Sequence, residues 1–254
     1  MDKKQFLNLF REIDDFDILK LYEKFQLANR VGIAIFSNEF YTPDIWSALE
    51  NLSSNNFLIE SYGIFPDSDR RIIGFNRKYS EEFPVKLLKI KCNTKFTKLA
   101  HKDYLGAIMA LGIKREKLGE LILSDEFACV AVHEDMVDFL LTNLNKIKNL
   151  TCKCTIVSDD ELLPQAKYEE NVVISTSTRL DSIVAAIGNV SRSKASELIS
   201  QGKVLVNYIC TTDKSHDVKE NTKITIKSLG KFKICESSGI TKGGRLKIIV
   251  YKYS

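Results

Sequence analysis

Between Val85 and Val157 the chain alternates between two hydrophobic periods. Val85 to Lys91 has period two. It sets Val85, Leu87, Lys89 and Lys91 on one face and Leu88 and Ile90 on the other, which predicts a strand. Lys102 to Leu111 then spaces Leu105, Ile108, Met109 and Leu111 as a helical stripe, stopped by Gly112. Leu118 to Leu123 and Phe127 to Val132 read as two strands joined by the turn Ser124-Asp125-Glu126. Glu134 to Lys146 carries Met136, Val137, Phe139, Leu140, Leu141 and Leu144 at amphipathic spacing, and Leu150 to Val157 gives a last strand. The predicted order is βαββαβ, a split ferredoxin-like unit over 81–157, shared by RNA-recognition modules. Such modules stack bases on strand aromatics, and here the platform strands offer Phe127 and little else.

The flanking regions read differently. Residues 1–80 are predicted as a mainly helical region, with Thr42-Pro43-Asp44 as a helix start and Ile45, Trp46 and Leu49 buried beyond it. Trp46 is the sole tryptophan and is assigned to packing. Ser158 to Glu170 is polar, acidic and interrupted by Pro164, which predicts a linker over 158–177. Past it, Thr178 and Asp181 have capping-box spacing before Ile183, Val184 and Ile187, and Gly188 closes that helix. Ser191 can cap a second helix over Arg192 to Ser200, ended by Gly202. Lys203 to Asn207, Ile224 to Ile226, Phe232 to Cys235 and Leu246 to Tyr251 complete a small sheet. The fold class is therefore α+β.

Charge sharpens this division. The 254 residues carry a net +4, yet Thr176 to Ser254 holds 14 Lys and Arg against 6 Asp and Glu. The remainder holds 23 against 27, so a basic module is joined to a mildly acidic body and points to a polyanionic partner. Arg179, Arg192 and Lys194 stand at predicted helix starts, where the dipole favours anions. A phosphate held by these cations and by the N–H groups of both helix starts would explain them.

Composition excludes other classes. The chain is 44% hydrophobic, and no apolar run approaches the ~20 residues of a membrane span. The sequence from Met1 has no apolar stretch behind it, so no signal peptide is expected and the expected location is cytoplasmic. The six cysteines contain no C-x-x-C pair. Cys152 and Cys154 are read as buried strand thiols, and no metal or cofactor is expected.

Thr178-Arg179-Leu180-Asp181, Ser191-Arg192-Ser193-Lys194-Ala195, Leu198-Ile199, Gly202-Lys203-Val204, Val206-Asn207 and Gly243-Gly244-Arg245 resemble the RNA-binding domain of ribosomal protein S-four, the alpha-L motif, over 178–254. The resemblance implies that Arg179, Ser191, Arg192, Lys194, Lys203 and Asn207 bind structured RNA, with Lys242 and Arg245 as a second rim. Phe40-Tyr41-Thr42-Pro43, Gly63 with Asp69-Arg70-Arg71, His101 to Gly106 and Gly112 to Gly119 resemble the bacterial YlmH family. The sequence departs from that pattern at Ile64, Asp69 and Glu120. The resemblance implies a non-catalytic RNA-binding protein that meets rRNA or tRNA on the large ribosomal subunit, in quality control of stalled peptidyl-tRNA complexes. A monomer without a small-molecule substrate is expected, and the family has a link to cell division.

Enzymes also carry S-four domains. A methyltransferase needs a glycine-rich cofactor turn, and the chain has no G-x-G. A pseudouridine synthase would place a large catalytic domain after the basic module, and a tyrosyl-tRNA synthetase needs a larger nucleotide-binding domain. The catalytic alternative that remains is an RNA-modifying site at His101 and Asp103, which also reads as a helix start with a dipole-complementing Asp. His101, Lys102, Lys114, Arg115 and Lys117 are candidates for a second RNA contact on the middle domain. A further alternative is a scaffold whose acidic N-terminal region recruits a protein partner.

Overall fold

The structure is a computed structural model. It describes the chain except residues 11–14, 66, 80, 94–98, 159–163, 165–167, 228 and 254, and the side chains of 15 and 16. The chain forms two compact units, Met1–Gln165 and Ala166–Ser254.

The first unit opens with helices α1 (Lys3–Asn8), α2 (Asp15–Val31) and α3 (Pro43–Glu50). Strands β1 (Ile35–Phe36), β2 (Ile59–Tyr62) and β3 (Ile72–Phe75) make an antiparallel sheet in the order β1-β3-β2. The expectation of a mainly helical 1–80 is thus corrected in its second half. Central β3 is buried at all four positions, so its sequence shows no alternation to read. Thr42 stands at the N-cap of α3 as expected, but its side chain makes no capping bond.

The middle of the chain supplies β4 (Val85–Cys92), α4 (His101–Ala110), β5 (Leu118–Leu123), β6 (Phe127–His133), α5 (Val137–Asn143), β7 (Lys146–Ile147) and β8 (Leu150–Ile156). The antiparallel sheet runs β5-β6-β4-β8-β7, the strand order of a split βαββαβ unit with a short added edge. The helix expected over 134–146 is shorter. A 3-10 turn at Glu134–Met136 precedes α5, and Phe139 faces solvent. The chain leaves the helix at Leu144, and Lys148, at φ 52°, turns β7 back onto β8.

Alternation gives this sheet two apolar faces. Leu88, Ile90, Ala128, Val130 and Val132 pack with Tyr104 and Ile108 of α4 and Val137 and Leu140 of α5. Val85, Leu87, Cys129 and Ala131 point the other way, and Phe40, Phe65 and Ile72 of the N-terminal region pack onto them. Gly119 marks how closely that cover lies: a Cβ there would meet the Phe40 ring at 2.8 Å. Cys92 stands opposite Cys152 across β4 and β8. Burial pushes the Cys152 thiol up to about 12 and that of Cys154 to about 11, so both stay protonated and unreactive.

The second unit contains β9 (Tyr168–Ser175), α6 (Leu180–Gly188), α7 (Arg192–Ser200), β10 (Val204–Val206), β11 (Ile209–Cys210), β12 (Lys223–Ile226), β13 (Gly230–Ile240) and β14 (Leu246–Tyr253). Its sheet runs β11-β10-β12-β13-β14-β9. Residues 168–175, expected in the linker, instead form an edge strand paired along the whole of β14. Residues 159–163 and 165–167 of that expected linker lie outside the described residues. The apolar stripes of α6 and α7, including Ile183, Val184, Leu198 and Ile199, pack onto one sheet face through Ile224, Ile226, Phe232, Ile234 and Val250.

Candidate nucleic-acid interface

The helix pair positions the basic side chains through two carboxylates. Asp181, in the first turn of α6, has a side chain only 8% exposed. It accepts Arg179 Nε at 3.2 Å and Arg192 Nη2 at 3.0 Å, so one buried acid gathers two guanidiniums from different elements. Burial pushes the Asp181 carboxyl up, but hydrogen bonds from Arg179 and then Arg192 outweigh it and hold the group below its ordinary value. One turn along α7, Glu197 accepts Lys194 Nζ at 2.8 Å. Its carboxyl is lowered mainly by that bond, with a smaller contribution from the charge of Lys203. Lys194 is two residues beyond Arg192, about 200° around the helix. The arginine pair and the lysine pair therefore straddle the beginning of α7 instead of sharing one side.

The two helix starts differ in what they leave open. At α6 the expected capping box is absent: Arg179 is the N-cap, and the Thr178 hydroxyl donates to Asp217 at 2.6 Å. The N–H groups of Leu180 and Asp181 donate to the carbonyls of His216 and Lys214, and those of Ser182 and Ile183 donate to Arg179. The expectation that both helix starts hold a phosphate is corrected here, because loop 213–217 already fills the first. At α7, Ser191 Oγ accepts the Lys194 N–H at 3.2 Å, as expected of a cap. The N–H groups of Arg192 and Ser193 meet no acceptor among the described residues. Two open donors, the positive helix end and flanking cations are the chemistry that suits an anion.

The remaining nominated residues separate. Gly202, at φ +64°, turns α7 into Lys203 and β10. The left-handed residue that ends α6 is Asn189, at φ 49°, and not Gly188. Asn207 and Tyr208, at φ 47° and 73°, make the tight hairpin from β10 to β11, and Asn207 Oδ1 accepts the Lys223 N–H at 2.9 Å. That is a structural task, with no base or phosphate needed to explain it. Lys242 and Arg245 are exposed in the β13–β14 turn. Val204 pairs with Ile226 and Ile226 with Gly230, the first residue of β13, whereas that turn follows Ile240, its last. Lys203 and the second rim thus sit at opposite ends of β13, roughly 30 Å apart. Sequence reading overlooked Asp181 and Glu197 as the organisers. The available signal was an acid with an arginine two residues before it and another a helix later.

Residues 79–161 match the family described as "Putative RNA-binding domain in YlmH", and residues 178–224 match the S4 domain. The chain carries a YlmH-type RNA-binding domain followed by an S4 domain. The S4 match stops at 224, so Lys242 and Arg245 lie outside it although the resemblance reached 254. Ribosome-associated protein quality control protein P2 of Bacillus subtilis (strain 168) is 26% identical over 168 residues. That match covers 66% of this chain and 65% of the relative, just under two thirds of its length. The solved cell division protein ylmH from Streptococcus pneumoniae is 18% identical, with a TM-score of 0.46 over 56% of this chain and 89% of that one.

Within the YlmH-type domain two of the expected cations, Arg115 and Lys117, are committed. Arg115 donates to the carbonyls of Leu118 and Gly119 at 2.6 and 3.2 Å, and Lys117 pairs with Asp135 at 2.5 Å. Lys102 and Lys114 are exposed, and His101 occupies the first position of α4. Asp103 accepts the Ala100 N–H and pairs with Lys148, both at 2.9 Å; the backbone bond is the chief cause of its lowered carboxyl. The carboxylate nominated for acid–base work is thus occupied as a helix-start cap. The motif residues Tyr41, Gly63 and Asp69 to Arg71 build the N-terminal seam. Arg71 lies 4.3 Å over the half-buried Trp46 ring, whose N–H donates to the Asp69 carbonyl, and the Glu120 carboxylate accepts the Asp69 N–H at 3.2 Å. Among the described residues no helix is long and apolar enough to cross a membrane.

Proposed function

We propose that this chain is a non-catalytic RNA-binding protein of the ribosome, and that its S4 domain holds structured RNA through phosphates at the start of α7. The open N–H groups of Arg192 and Ser193, beside the Arg179–Asp181–Arg192 clamp, carry this reading. The clamp matters because Asp181 fixes two guanidiniums in place and still leaves the trio with a net positive charge. A phosphate arriving at the helix end meets ordered donors without first ordering them.

The quality-control name of the Bacillus subtilis relative supports a place on the ribosome. The finer reading assigns the large subunit, with rRNA or tRNA as ligand, stalled peptidyl-tRNA complexes as the setting, and a cytoplasmic monomer as the acting form.

The test neutralises the seat without inverting it. Arg192→Glu would set a second carboxylate beside Asp181, so Arg192→Gln with Lys194→Gln is the cleaner pair. The double variant is expected to lose co-sedimentation with large ribosomal subunits while its thermal unfolding stays near that of the parent. Undiminished co-sedimentation would refute the seat.

A further inference from the structure

The sheet of the second unit has a second face, turned away from α6 and α7, that the seat at α7 does not use. Register places its side chains in rows. Lys223, Lys233, Tyr251 and Glu170 form one row across β12, β13, β14 and β9, and beside it Thr225 pairs with Lys231 and Tyr253 with Tyr168. Their neighbours along the strands, Ile224, Ile226, Phe232, Ile234 and Val250, point into the core, so these side chains face outward. Tyr168 is 52% exposed and its ring stacks on Tyr251, with centroids 4.2 Å apart. Lys231 Nζ lies 5.1 Å from the Tyr208 ring and 5.0 Å from the Tyr253 ring.

Two features point to a polyanionic ligand with flat, unsaturated groups. Lys223 and Lys233 are directly opposed across β12 and β13, which gathers two ammonium groups at one place on this face. The same patch interleaves these ammonium groups with tyrosine rings, which suits a chain that offers phosphates and bases at alternate steps. Glu170 is the single acid among these paired residues. A folded duplex presents few free bases, whereas a single strand presents them all. We infer that the open face of this sheet is a second RNA site, which takes a single-stranded segment with its phosphates on Lys223, Lys231 and Lys233 and its bases on the Tyr168–Tyr251 stack and Tyr253.

The inference is separable from the seat at α7. A fluorescein-labelled single-stranded uridine dodecamer is titrated with the full chain, and with Tyr168→Ala/Tyr251→Ala, Tyr168→Phe/Tyr251→Phe, Lys231→Gln/Lys233→Gln and Arg192→Gln/Lys194→Gln. Anisotropy is expected to show binding by the parent chain and a loss of about tenfold or more for the alanine pair, the effect of one unstacked base. The phenylalanine pair keeps the rings and should bind as the parent does, which separates stacking from a folding defect. The glutamine pair in β13 should weaken binding and flatten its salt dependence, and the α7 pair, which removes phosphate contacts but no ring, should weaken dodecamer binding less than the alanine pair does. Failure of the parent chain to bind, or parent-like binding by the alanine pair, would overturn the inference. So would loss confined to the α7 pair, or binding to polyglutamate in place of the dodecamer.

Discussion

The YlmH-type domain and the second unit, which contains the S4 match, are built alike, as antiparallel sheets with two helices packed on one face, yet their second faces have opposite fates. In the YlmH-type domain, Phe40, Phe65 and Ile72 of the N-terminal region close over Val85, Leu87, Cys129 and Ala131. Phe127, the one aromatic that could serve as a base platform, packs against that same cluster with Lys89 Nζ 4.5 Å over its ring. In the second unit the corresponding face carries exposed Tyr168, Val172 and Ile174. A shared topology therefore does not transfer a binding surface; what packs on each face decides it.

The largest effect should come from opening the covered face. Phe40→Ala removes a ring that is 2% exposed and is expected to destabilise the first unit by about 3–5 kcal/mol. Denaturant unfolding would measure this, and RNA capture by the S4 domain should survive under native conditions. A loss near zero would mean that the N-terminal cover is not part of the sheet's core.

The next effect concerns the S4 domain alone. Neutralising Arg192 and Lys194 together should lower affinity for large subunits by tenfold or more. In the parent chain, about four phosphate contacts should give a slope of log affinity against log salt near −3, and the double variant should lose roughly half of it. Filter binding across a salt series checks both.

Asp181→Asn should cost about 1–2 kcal/mol, because Arg179 and Arg192 lose the shared negative charge and one of its two acceptor oxygens, beside the positive start of α6. The sign with pH follows from the depressed carboxyl. Its contribution is present above the ordinary Asp value of ~4 and is lost as pH falls through the lower folded value. Thermal melts below pH 4 should therefore steepen in the parent chain and flatten in Asp181→Asn. The smallest effect is expected at Lys102 and Lys114, where alanine should change affinity less than about threefold, since the domain around them is otherwise closed.

Much of this contrast was legible in the sequence, and the part that was not has physical causes. Apolar residues at Val85 and Leu87 on one parity and Leu88 and Ile90 on the other exposed β4 and both of its faces, and Ser191 before Arg192 marked the α7 cap. What covers a face is a long-range matter, and nothing near Leu87 announces Phe40. Strand β9 escaped notice because Tyr168-Glu169-Glu170-Asn171 is polar at an edge, where only its partner β14 makes it a strand. Thr178 had the spacing of a cap, but Asp217, 39 residues away, offered its hydroxyl a better acceptor. At the candidate site the cations were readable as types, whereas their pairing with Asp181 and Glu197 required the fold.

The most direct test of the central claim is ultraviolet crosslinking of the full chain to intact large ribosomal subunits, with crosslinked peptides identified by mass spectrometry. The account predicts adducts on the peptide around Arg192, Ser193 and Lys194, and none on the β4 and β6 positions beneath Phe40. Adducts concentrated at Lys89 and Phe127, with the start of α7 unmarked, would contradict it.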